Sequence, residues 1–95
     1  MIPVHLYGNS ADIGKIKRIC DKHKLLLVED CAQAHNTLYM NKHGGTFGDA
    51  GCFSFYPTKN ITVLGEGGMI ITNNEKLAKK MRKIVNHGEE GDIPM

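Results

Sequence analysis

Apolar residues open the chain in a short run, Ile2 to Tyr7, which stops at Gly8-Asn9-Ser10. A run of this length before a turn cluster predicts a strand, with Ser10 placed to cap a helix by accepting a bond from an orphan N–H. Ile13, Ile16, Ile19 and Cys20 then recur at helical spacing, and Lys15, Lys17, Arg18, Lys22 and Lys24 fill the positions between and beyond them. Cations toward the end of such a helix suit the negative pole of its macrodipole. Leu25-Leu26-Leu27-Val28 is apolar without a break and runs straight into Glu29 and Asp30. Unbroken hydrophobicity at strand length predicts a strand covered on both faces, as in a parallel sheet, and the β-α-β order agrees.

Cys31 to His35 reads as a short helical turn ended by Asn36, a residue that tolerates left-handed backbone. Thr37 to Asp49 holds three glycines and little periodicity, which predicts a loop or small hairpin. Ala50 to Tyr56 alternates loosely around Phe53 and Phe55. This third strand is stopped by Pro57, which has no N–H for a ladder. Residues 57–67 are too few for a parallel crossover, so Gly68 to Thr72 is predicted to run antiparallel. Asn74 then caps a helix whose Leu77, Met81, Ile84 and Val85 share one face, and His87 to Asp92 ends it. The pattern is α/β, without internal repeats.

Composition narrows this further. The 95 residues allow one domain with one modest core, burying about 60% of the surface of the unfolded chain. The net charge is only +2, and the cations Lys76, Lys79, Lys80, Arg82 and Lys83 fall where a helix presents one solvated face, so no nucleic-acid partner is implied. Three cysteines, Cys20, Cys31 and Cys52, form no C-x-x-C pair and suit a reducing cytoplasmic setting. No apolar run approaches the roughly 20 residues that cross a bilayer. His5, His23, His35, His43 and His87 show no metal-ligand spacing and are expected in surface or loop roles.

Two positions carry candidate chemistry. Asp30 follows a buried strand, and in open α/β sheets ligands collect at the carboxyl ends of strands. Taken alone, its position favours a cap for the turn at Cys31 over a ligand role. Glu29 points to the other face and is expected to be a surface or ion-pairing residue. Lys59 lies after the third strand, between a proline-stiffened turn and Leu64-Gly65-Glu66-Gly67-Gly68. An amine held in such a frame is suited to bonding a carbonyl compound covalently. Ser54 and Thr58 add hydroxyl donors for a phosphate. The glycine loop matches neither the P-loop nor the dinucleotide fingerprint, so a general phosphate or nucleotide binder accounts for little of this set. A lysine nucleophile, a strand-end carboxylate and phosphate-binding hydroxyls together are what pyridoxal phosphate requires.

At this point the sequence resembles the DegT-type family of pyridoxal-phosphate-dependent sugar aminotransferases. The resemblance runs through Pro3-Val4-His5-Leu6-Tyr7-Gly8, Val28-Glu29-Asp30-Cys31-Ala32-Gln33-Ala34, Gly48-Asp49, Phe53 through Asn60, Gly65-Glu66-Gly67-Gly68 and Asn86-His87-Gly88. It implies a type I aminotransferase fold, a three-layer αβα mixed sheet with one antiparallel strand. Residues 1–95 would be the central part of the cofactor-binding large domain, without the N-terminal phosphate-cradle segment and the C-terminal small domain. Lys59 would bond the cofactor and shuttle the substrate proton, Asp30 would pair with its pyridine nitrogen, Gln33 would approach its phenolic oxygen and Ser54 would bind its phosphate. The implied reaction moves an amino group from glutamate or glutamine to a keto group of a nucleotide-linked deoxysugar, in polysaccharide or secondary-metabolite biosynthesis. A homodimer is the implied assembly. Cys31 stands where the family usually has alanine and Asn36 where glycine is common, and Cys31 is expected to be a small residue packed under the cofactor. The alternative is a non-catalytic remnant or interaction module of the same family.

Overall fold

The structure, a computed structural model, describes residues 1–85. Ile13, Ile16 and Cys20 turn one stripe of helix α1 (Ile13–His23) inward against Leu27, with Tyr39 and Phe47 closing the cluster. Ile19, expected on the same stripe, lies at its margin and is exposed. The helix is capped by Asp12 and not by Ser10: the Asp12 carboxylate accepts from the Lys15 N–H at 3.2 Å, while the Ser10 hydroxyl donates to the Ala11 carbonyl at 2.7 Å. Bonds from the Lys15 ammonium and then the Tyr39 hydroxyl hold the Asp12 carboxyl well below its usual range, at about 2. At the other end Lys24 takes left-handed backbone, φ 53°, and closes α1.

Strand β1 comprises Val28–Asp30, three residues later than Leu25-Leu26-Leu27-Val28 predicts. Leu27 is buried, but Leu25 and Leu26 are exposed, so only one residue of that apolar triplet is covered. The opening segment 2–7 is no continuous strand either. It runs beside β1 through a parallel bridge of Val4 with Asp30 and through backbone bonds from Val28 to Met1, Asp30 to Pro3 and His5 to Asp30, all 2.9–3.0 Å. Tyr7 and Gly8, with φ of 54° and 76°, then reverse the chain between Leu6 and Asn9.

The segment 37–49 contains the expected small hairpin, β2 (Leu38–Tyr39) paired antiparallel with β3 (Lys42–His43). Strand β4 (Ala50–Ser54) ends two residues before the predicted Tyr56 and pairs in parallel with β1, Asp30 opposite Cys52. Strand β5 (Gly68–Ile71) returns antiparallel to β4, as the short connection requires. The main sheet is therefore mixed, in the order β1-β4-β5, with the opening segment beyond β1.

Helix α2 (Glu75–Val85) begins at the predicted cap, where the Asn74 side chain accepts from the Leu77 N–H at 3.1 Å. Its Leu77 and Met81 are half-buried, whereas Ile84 and Val85 are exposed. Lys76, Lys79, Lys80, Arg82 and Lys83 form the expected solvated face. An open cleft of about 740 Å³ separates α2 from β4 and β5, lined in part by Cys52, Ile70 and Met81. The motif Asn86-His87-Gly88 and the helix end at His87 to Asp92 lie outside the described residues. Among the described residues no helix is long and apolar enough to cross a membrane.

Candidate active site

Parallel pairing of β1 with β4 puts the carboxyl ends of two strands side by side, and each predicted residue lies at or shortly after one of these ends. Side chains alternate along a strand, and paired residues of parallel strands share a face. Asp30 and Cys52 are paired, so Ser54, two residues past Cys52, stands on the face of Asp30. Lys59 follows in a turn closed by its own N–H bonding the Tyr56 carbonyl at 2.9 Å. Gln33 occupies the segment after β1, which forms two successive turns, Ala34 N–H to Cys31 O and Thr37 N–H to Ala34 O, instead of a helical turn. Asn36 ends it in left-handed backbone, φ 59°, as expected. The Gln33 carbonyl also accepts from the Gly8 N–H at 3.1 Å, which ties this turn to the opening segment.

The functional groups at this edge are left with capacity to spare. Asp30 Oδ1 accepts from the Ala32 N–H at 3.0 Å, so the local capping role is real, but Oδ2 has no partner among the described residues. Ser54 Oγ accepts from the Tyr56 N–H at 3.3 Å and keeps its hydrogen to donate. Neither the Lys59 amine nor the Gln33 amide has a hydrogen-bond or ion-pair partner among the described residues. A free carboxylate oxygen, a hydroxyl, an amide and an amine are together the kinds of group that pyridoxal phosphate calls for. The residues present fit pyridoxal phosphate.

Two cysteines flank this edge. The Cys31 N–H donates to the Cys52 carbonyl at 2.8 Å, yet their thiols lie on opposite faces and both are free. Burial pushes the Cys31 thiol up to about 12, with the carboxylates of Glu29 and Asp30 adding to it. Burial and the Asp30 carboxylate raise Cys52 as well. Neither thiol is activated as a nucleophile.

The opposite face corrects two expectations. Glu29 is fully buried, not a surface residue, and its carboxylate hydrogen-bonds a fully buried His5 at 2.9 Å. The carboxylate also accepts the N–H groups of Gly45, Phe47 and Gly48. Strand alternation correctly sends Glu29 away from Asp30, but it carries no information about the loop that covers that face. The glycines at 44, 45 and 48 were the available signal: a loop of small residues can approach a strand closely. His35, also expected at the surface or in a loop, lies in the turn with Gln33 and packs its ring 5.8 and 5.6 Å from Phe53 and Phe55, with both ring nitrogens buried.

A mixed sheet in the order β1-β4-β5, with β1 and β4 parallel and β5 antiparallel, is the arrangement of the type I aminotransferase fold. Residues 1–93 match the DegT/DnrJ/EryC1/StrS aminotransferase family, and the chain belongs to that family. It is 48% identical over 88 residues to UDP-N-acetyl-3-dehydro-alpha-D-glucosamine 3-aminotransferase of Acidithiobacillus ferrooxidans, a match covering 93% of this chain and 24% of the relative. The fold superposes on DesV of S. venezuelae, solved with a ketimine intermediate, with a TM-score of 0.87 and 39% identity over 98% of this chain and 25% of that one. It also superposes on NtdA of Bacillus subtilis with bound cofactor PMP, with a TM-score of 0.82 and 38% identity over 97% of this chain and 20% of that one. The chain spans about a quarter of the length of the relatives it matches.

Proposed function

We propose that this chain is the central, cofactor-holding part of the large domain of a pyridoxal-phosphate-dependent aminotransferase that acts on a nucleotide-linked keto sugar. The observation that carries the reading is the placement of Asp30 and Ser54 on one face of paired parallel strand ends, beside the turn that holds Lys59. When bound, pyridoxal phosphate supplies an electron sink that makes the α-proton of an amino compound removable. The chain's own residues do the rest. Lys59 would hold the aldehyde end of the cofactor through its Nζ and would take up and return the substrate proton as general base and acid. The spare oxygen of Asp30 would pair with the ring nitrogen and keep a proton on it. Gln33 would bond the phenolic oxygen, and the Ser54 hydroxyl would donate to the phosphate.

In this reading the segment that cradles the phosphate and the small C-terminal domain belong to other parts of the protein, and two copies complete one another's sites. The amino donor is glutamate or glutamine, and the product feeds polysaccharide or secondary-metabolite synthesis. A second reading, a non-catalytic interaction module, draws on the exposed apolar residues Ile2, Val4 and Leu6.

Titrating the chain with pyridoxal phosphate separates the two readings. A visible absorption band that forms with the native chain and is absent from Lys59→Ala is the expected result. A native chain without the band, or a band that survives the substitution, leaves the interaction module.

A further inference from the structure

Glu29 shares β1 with Asp30 but faces away from it, and it has no part in the chemistry proposed above. Each of its oxygens accepts two hydrogens. Oε1 takes the Phe47 and Gly48 N–H groups, both at 2.7 Å, and Oε2 takes the Gly45 N–H at 2.8 Å and His5 Nε2–H at 2.9 Å. The tautomer of His5 follows from its other nitrogen: Nδ1 accepts from the Ala11 N–H at 3.1 Å, so the ring hydrogen sits on Nε2. Ser10, 3.3 Å from the same Nδ1, spends its hydrogen on the Ala11 carbonyl. The Cys31 thiol adjoins His5 and Glu29, but the four donors occupy the carboxylate and the imidazole, so the cluster is a closed polar network and not a cation site.

We infer that Glu29, held by His5, is a positioning residue that sets Asp30 and Ser54 in place relative to each other, an inference that rests on the cofactor reading of the site. Three N–H groups within residues 45–48 converge on one carboxylate, so this loop is fixed to β1. Strand β4 begins two residues later. Its Gly51 lies so close to Gly45 that a Cβ there would meet the Gly45 carbonyl oxygen and Cα, which locks the loop to β4 as well. The loop thus fixes how far β4 slides along β1, and that register, Asp30 opposite Cys52, is what brings Ser54 to the face of Asp30. A glutamine at 29 would turn its NH2 toward one of the two donor pairs and leave those N–H groups facing another donor.

The test uses the full chain with Glu29→Gln and His5→Gln, the latter keeping a donor near the place of Nε2. For Glu29→Gln, amide exchange at Gly45, Phe47 and Gly48 rises at least roughly tenfold. The nuclear Overhauser contact between Asp30 and Cys52 weakens, and the pH midpoint of the Lys59-dependent pyridoxal phosphate band moves. His5→Gln stays near the native values. Loss of folded protein alone would shrink the band without moving its midpoint. A Glu29→Gln chain with the native Asp30–Cys52 contact and an unmoved midpoint overturns the inference. If that variant does not fold, His5→Phe, which removes one donor of four, decides by the same contact: weakened supports the inference, unchanged overturns it. A native chain that forms no band sinks the cofactor reading, while the exchange and contact measurements still decide the role of Glu29.

Discussion

Cys31 is the residue whose neighbours most constrain its chemistry. It sits one position past Asp30, fully buried, with its thiol pushed up to about 12 by burial and by the two carboxylates beside it. A raised thiol pKa leaves the group neutral at every pH below it, so about a thousandfold less thiolate is present than for a thiol at the ordinary value of 9.0. Iodoacetamide at pH 8, followed by peptide mass spectrometry, is expected to label Cys31 about a thousandfold more slowly than a free thiol in the unfolded chain. Labelling at comparable rates would show the burial to be wrong. That Cys31 is a packed, unactivated thiol was legible in the sequence, because nothing cationic adjoins it, but its thiol lies with His5 and Glu29 on the face away from Asp30 and not under the cofactor as expected. Asp30 was legible too, since it follows an apolar run of strand length. Glu29 was not, because its partners come from sequence positions 5 and 45–48 and leave no periodic trace.

The hairpin β2–β3 shows the same limit at the scale of an element. Three glycines pointed to a loop or hairpin, yet the turn itself is made by Met40 and Asn41, with φ of 49° and 63°. Two left-handed residues in a two-residue connection make a type I′ turn, for which Asn is well suited and Met is not. Met40 is 86% exposed, so its side chain contributes no packing that would offset the backbone cost. Met40→Gly is therefore expected to stabilise the chain by about 1 kcal/mol, raising the thermal midpoint by roughly 4–8 °C. An unchanged or lower midpoint by circular dichroism would refute the turn assignment. Strand limits were harder to read than strand existence. The Leu25-Leu26-Leu27-Val28 run has strand length, but Lys24 closes α1 and Leu25 bonds back to Cys20, so pairing starts only at Val28. The antiparallel direction of β5 was readable because chain length alone forbids the alternative.

At the scale of the whole molecule, the apolar residues divide into a small core and a wide exposed set. Ile13, Cys20 and Leu27 are buried, while Ile2, Val4 and Leu6 lie open along the segment beyond β1. That segment uses Met1, Pro3 and His5 to bond β1, so its other backbone edge has no strand partner among the described residues. Exposed apolar edges of this kind template self-association. Val4→Lys, at a position 51% exposed, is expected to lower the sedimenting mass at high protein concentration without changing the fold. Equal association of both chains would place the contact elsewhere. The fold class could be read from order and spacing, and Gln33 became a candidate only through the family resemblance, whereas the way the faces are covered depended on contacts between distant positions. The buried Glu29 gives those contacts a consequence for how the chain reaches its final form. A lone carboxylate resists transfer into an apolar interior, and here it is accommodated only when His5, β1 and residues 45–48 have all arrived. Without any one of them the carboxylate would be left short of a donor. A sheet that slipped by one or two residues would carry Glu29 away from these donors, so the buried carboxylate favours the native register over a slipped one.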